Sequence, residues 1–103
     1  RRAYTVRAMA TLRRLVLDIL KPHHPDVIVL AERLADLDGV DAVNVSIYEI
    51  DHRVENAKVT IEGVDIPADG VRRAVTELGG AVHSIDEVVA GAHLVEAAMT
   101  LQD

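Results

Sequence analysis

Between Val43 and Ile61 the chain runs through two alternating stretches joined by a short charged link, and this pattern constrains the fold most. Val43, Val45 and Ile47 alternate with Asn44, Ser46 and Tyr48, while Ala57, Val59 and Ile61 alternate with Lys58, Thr60 and Glu62. A period of two sends successive side chains to opposite faces, so each stretch is a strand with one apolar and one polar side. Only a polar turn from Asp51 to Glu55 separates them, which predicts an antiparallel hairpin with strands over 43–51 and 56–63.

A hairpin with one apolar face needs cover, and the flanking sequence supplies it. Upstream, Leu15, Leu17 and Ile19 share one parity, and Arg14, Val16, Asp18 and Leu20 the other, predicting a strand over 12–20. The run Lys21-Pro22-His23-His24-Pro25 should end it, because proline donates nothing to a ladder and restrains the residue before it. Pro25 suits the first position of a helix, and Val27, Leu30, Ala31 and Leu34 then follow at helical spacing. That helix is expected over 26–37, stopped by Asp38-Gly39. Downstream, Pro67 opens a second helix over 67–78 with the stripe Val71, Ala74, Val75 and Leu78, ended by Gly79-Gly80. A fourth strand is expected over 81–89 and a short terminal helix over 92–99.

The order strand, helix, strand, strand, helix, strand predicts an α+β, ferredoxin-like split βαβ sandwich. Its sheet would have four antiparallel strands, with two helices on one face. The first strand would lie between the third and fourth, leaving the second and fourth as edges. The expected core is Leu15, Leu17, Ile19, Leu30, Leu34, Val43, Val45, Ile47, Val59, Ile61, Val71, Val75 and Leu78.

The 103 residues suit one domain over 9–103; residues 1–8, without apolar period, are expected to be a disordered or appended tail. There is no Trp, Phe or Cys and there are only two Tyr, so aliphatic side chains must fill the core. Absent cysteine excludes disulfides, thiolate metal sites and thiol nucleophiles. No apolar run approaches the about 20 residues that a membrane-crossing helix needs, and a cytoplasmic location is expected.

Charge is unevenly placed. All 17 acidic residues lie at Asp18 or later, and from Leu15 onward 6 basic residues face 17 acidic, a net of −11. So acidic a body repels phosphate backbones, and nucleic acid is not an expected partner.

Several segments resemble a known family. They are Leu-Asp-Ile-Leu-Lys-Pro-His at 17–23, Gly39-Val40 with Val43-Asn44, Glu49-Ile50-Asp51, and Glu55-Asn56 leading into Lys58-Val59-Thr60-Ile61. Gly79-Gly80 and the block from His83 to Gly91 continue the match. From about Leu12 onward the chain is similar to the archaeal family called Domain of Unknown Function 211. The resemblance implies a ferredoxin-like fold and a ring-like homo-oligomer. It implies no particular activity.

Candidate sites come from strand parity. The sheet face away from the helices should carry Arg14, Asp18, Asn44, Ser46, Tyr48, Lys58, Thr60 and Glu62, with Ser84 and Asp86 if the fourth strand has no bulge. Asp18, Lys21, Asn44, Tyr48, Lys58 and Ser84 are the candidate ligand-binding residues, although an Asp18–Lys58 ion pair would serve structure equally well. Asp18, Glu49, Asp51, Glu55 and Asp86 are candidate ligands for Ca²⁺ or Mg²⁺, since hard cations want converging carboxylate oxygens. No Asp-x-Asp-x-Asp-Gly loop supports that reading.

Enzyme signatures are lacking: the chain has no glycine-rich phosphate loop and no nucleophile elbow. Acylphosphatases share the topology, but the loop at 21–25 has prolines where they use glycines. RNA binders of this topology stack bases on aromatics, and only Tyr48 is available. The expected function is a non-catalytic, homo-oligomeric ligand-binding or regulatory module. The alternative is a divalent-metal-binding protein or metal-dependent enzyme using the acidic cluster.

Overall fold

The computed structural model describes residues 10–92. Its elements follow the expected order: β1 (Thr11–Pro22), α1 (Val27–Ala35), β2 (Val40–Ile50), β3 (Val54–Gly63), α2 (Ala68–Glu77) and β4 (Ala81–Gly91). The four strands form one antiparallel sheet in the order β2-β3-β1-β4, so β1 lies between β3 and β4, and β2 and β4 are the edges. The fold is α+β with a ferredoxin-like arrangement. The terminal helix expected over 92–99, the apolar Leu94, Val95 and Met99, and the tail at 1–8 fall on residues outside those described, save Ala92.

Both helices pack on the same face. Leu15, Leu17 and Ile19 of β1 and Ala57, Val59 and Ile61 of β3 meet Leu30 and Leu34 of α1 and Val71, Ala74 and Val75 of α2 in one buried cluster. Each large side chain buried there stabilises the fold by about 1.5–3 kcal/mol. Val43, Val45, Ile47 and Leu78 pack against the cluster but are only partly buried. For the three β2 residues the reason is position: an edge strand has a neighbour on one side only.

Two proline expectations need correction. β1 does not stop before Lys21; it runs through Pro22, which pairs with Val54. Pro22 lies past the last β1–β4 pair, Leu20 with Ala81, at the strand terminus where a missing donor is tolerated. Pro25 is not the first helical residue. Asp26 is the N-cap, its carboxylate accepting from Ile28 N at 3.0 Å and Val29 N at 3.2 Å, and Pro25 precedes it. At their far ends the two helices are tied by Arg33 and Glu77.

Ile66, not foreseen as core, is 3% exposed. Its N–H donates to Leu12 O at 3.0 Å, and the Thr11 hydroxyl donates to Val64 O at 2.8 Å, fastening the loop before α2 to β1. The N–H groups of Val64 and Asp65 donate to Gly39 O. Gly39 has φ +91°, and a Cβ there would lie 2.0 Å from Asp65 O, so this position requires glycine.

Register shifts interrupt the edge pairings. On β4, Val16 pairs with Glu87 but Leu17 with Ile85, and Asp18 pairs with Ser84 but Ile19 with Val82, so Asp86 and His83 are extra residues. On β2, Ile47 pairs with Ala57 and Glu49 with Asn56, leaving Tyr48 as the extra residue. Among the described residues, no helix is long and apolar enough to cross a membrane.

Candidate functional site on the open sheet face

Strand alternation that sends leucine and valine toward the helices sends a polar set to the other side. Across the middle of the sheet Ser46, Lys58, Asp18 and Ser84 form one row, each paired in register with the next. Asn44, Thr60, Val16 and Glu87 form the adjacent row, and Glu62 and Arg14 pair in the row beyond. Asp18 thus sits beside both Lys58 and Ser84, as the strand order predicts.

The ion pair expected between Asp18 and Lys58 is replaced by two longer contacts, each reaching over a strand. The Tyr48 hydroxyl, from β2, donates across β3 to both Asp18 oxygens at 2.6 and 2.8 Å. The Lys58 ammonium, from β3, donates across β1 to Asp86 at 3.1 Å, and the Ser84 hydroxyl donates to the same carboxylate at 2.7 Å. The Asp18 carboxylate stabilises the neutral phenol and so raises the Tyr48 pKa above its ordinary value. Hydrogen bonds from Ser84 and Lys58 lower that of Asp86. The Ser46 hydroxyl donates to Asn44 Oδ1 at 3.2 Å.

Asp18, Ser46, Tyr48 and Lys58 line an open depression of about 440 Å³. A second depression, of about 370 Å³, is lined by Ala42, Val43, Asn44, Thr60 and Glu62. Next to them Arg14 is held between Glu62 at 2.9 Å and Glu87 at 3.1 Å. Glu87 was missed by the sequence reading. The extra residue in β4 keeps Asp86 on the open face while Glu87 also turns toward it, so consecutive carboxylates serve Lys58 and Arg14.

Lys21 and Glu55, both expected at ligand sites, lie elsewhere. They pair with each other in register and share the parity of Ile19 and Ala57, on the helix side. Lys21 is buried, 3% exposed, and donates to Glu55 Oε1 at 3.0 Å and to its neighbour's carbonyl, Pro22 O, at 2.6 Å. The other Glu55 oxygen meets His23 Nδ1 at 3.1 Å, and His23 Nε2 meets Asp51 O at 2.8 Å. These contacts raise the His23 pKa, Glu55 being the main cause, and lower that of Glu55 through His23 and then Lys21. The Asp51 carboxylate accepts from Val54 N and Arg53 N at 2.9 and 2.8 Å, closing the hairpin turn and lowering its own pKa.

The five carboxylates proposed for a hard cation are therefore dispersed. Asp18 serves Tyr48, Asp86 serves Lys58 and Ser84, Glu55 serves Lys21 and His23, and Asp51 closes its own turn; Glu49 lies exposed on the edge strand. Among the described residues, no three His, Asp or Glu side chains gather into a cation site.

Known proteins add kinship. The family Domain of Unknown Function 211, described as uncharacterised ArCR, matches residues 13–103, and the chain belongs to it. An uncharacterised protein of the archaeon Methanocaldococcus jannaschii is 50% identical over 95 residues, covering 92% of this chain and 98% of that relative.

Proposed function

We propose that this member of the family is a non-catalytic ligand-binding or regulatory module, cytoplasmic and homo-oligomeric, that takes a small polar molecule on the open face of its sheet. The depression lined by Asp18, Ser46, Tyr48 and Lys58 carries the reading. Its 440 Å³ falls within the about 300–1,000 Å³ usual for small-molecule sites, and its polar groups converge from three strands.

The chemistry of the lining favours binding over catalysis. The Ser46 hydroxyl donates to the Asn44 amide oxygen rather than to a base, and the Tyr48 pKa moves up, away from the range a general base needs. Dispersal of the acidic residues gives the metal-dependent alternative less support. Self-association is supported by the unpaired edges of β2 and β4 and by Ile50, Ile85 and Val88, which are 62%, 45% and 52% exposed on them.

A metabolite screen by thermal shift tests the site. A ligand at a hundred times its Kd should stabilise the native protein by about 2.7 kcal/mol. The shift should vanish in D18N and in Lys58→Met. A screen in which no metabolite shifts the wild type, or in which the shift survives both substitutions, refutes the reading.

A further inference from the structure

Resting on the reading of this depression as a ligand site, we propose that its ligand is a small zwitterion. The ammonium and carboxylate would lie within a few bonds of one another, as in a free amino acid.

The lining presents one carboxylate, one ammonium and two hydroxyls: Asp18, Lys58, Ser46 and Tyr48. Asp18 and Lys58 are directly opposed across β1 and β3, so their Cβ atoms stand about 5 Å apart. Yet each turns to another group: Asp18 is aimed by the Tyr48 hydroxyl, and Lys58 leans to Asp86. A carboxylate offers about four lone-pair sites and an ammonium three donors, so both retain capacity for a ligand. The Lys58 and Asp86 side chains are 48% and 34% exposed, and so exposed a pair is weak enough for Lys58 to turn inward.

Other charge types fit less well. A simple anion would gain Lys58 but meet Asp18 and Asp86 in a body of net −11 from Leu15 onward. A simple cation would gain Asp18 and be repelled by Lys58. A neutral molecule can hydrogen-bond to both groups but offers neither an opposite charge, and so offsets less of their desolvation. A zwitterion answers both, with its ammonium on Asp18 and its carboxylate on Lys58 and the Ser46 hydroxyl. Tyr48, 54% exposed, leaves a ring face beside it for the rest of the ligand. Because the depression is open, affinity should be modest.

Calorimetry on the full chain tests this with each proteinogenic amino acid, its methyl ester, which lacks the negative charge, and its N-acetyl derivative, which lacks the positive one. At least one free amino acid should bind, and masking either charge should weaken it about tenfold or more. D18N and Lys58→Met should each lose the free amino acid while keeping the wild-type circular dichroism and unfolding midpoint. An ester that binds as tightly as its parent, or Lys58→Met binding undiminished, overturns the zwitterion. So does a metabolite of another charge type whose thermal shift is lost in D18N, a result that leaves the ligand site itself standing. A screen with no ligand of any kind sinks the site and the zwitterion together.

Discussion

Glu55→Gln isolates the buried charge at the hairpin end. In the native protein the Lys21 side chain is 4% exposed and the Glu55 side chain 16%, with 3.0 Å between their charged atoms. Removing one partner of a buried pair costs about 3–5 kcal/mol because the other charge is stranded. Here Lys21 keeps Pro22 O, and glutamine still offers an oxygen, so the loss should sit at or just under that lower bound, about 2–3 kcal/mol. With a urea m-value of about 1 kcal/mol/M, the midpoint should fall by about 2–3 M at unchanged slope. Lys21→Met alone should cost less, because Glu55 is more exposed and keeps His23. Lys21→Met with Glu55→Gln should recover most of the loss, since no charge then remains stranded. A Glu55→Gln loss within about 0.5 kcal/mol, the range of ordinary surface changes, would refute the buried-charge argument.

The same clasp should depend on pH. Raised above its ordinary 6.5, the His23 pKa gives stability fully present below 6.5 and lost as pH climbs through the folded value. Glu55, lowered from 4.5, gives stability present above 4.5 and lost as pH falls through its folded value. Urea midpoints across pH should therefore show the clasp strongest between those values, and His23→Gln should remove the alkaline limb and also weaken the acid one, because His23 is the main cause of the lowered Glu55 pKa. Gly39→Ala should destabilise by about 1–3 kcal/mol or more, because the residue must hold positive φ and its methyl meets Asp65 O; thermal melts report it. In a Tyr4→Phe background, D18N should bring the Tyr48 titration down, read by tyrosinate absorbance; an unchanged midpoint would mean that Asp18 does not hold the hydroxyl.

The fold and most of the open face were readable because alternation is a strong local signal. Parity alone placed Asp18, Ser46, Lys58 and Thr60 together, and strand order set Asp18 beside Lys58 and Ser84. What parity could not show is where alternation breaks. An extra residue at Asp86 brings Glu87 onto the open face, and nothing in the run Ile85-Asp86-Glu87-Val88 marks it. Lys21 was different: ending β1 at Leu20 put it in the loop, whereas its shared parity with Ile19 in a longer strand places it on the helix side. Ile66 is buried by a loop whose hydrogen bonds reach residues over fifty positions away, beyond any local pattern.

Separation of the two faces has an experimental consequence. The core cluster and the Lys21–Glu55 clasp lie on the helix side, while Asp18, Ser46, Tyr48 and Lys58 lie on the other. The Lys58–Asp86 contact beside the depression is between side chains 48% and 34% exposed, and exposed ion pairs of this kind typically contribute only about 0–1 kcal/mol. Site substitutions should therefore change binding without unfolding the domain, whereas substitutions under the helices should do the reverse. Lys58→Met is the sharpest case. It removes one exposed ion pair and one proposed ligand contact from a strand whose inward neighbours, Ala57 and Val59, stay buried. If its unfolding midpoint fell as far as that of Glu55→Gln, Lys58 would be a structural residue, and the open face would lose its standing as a ligand surface.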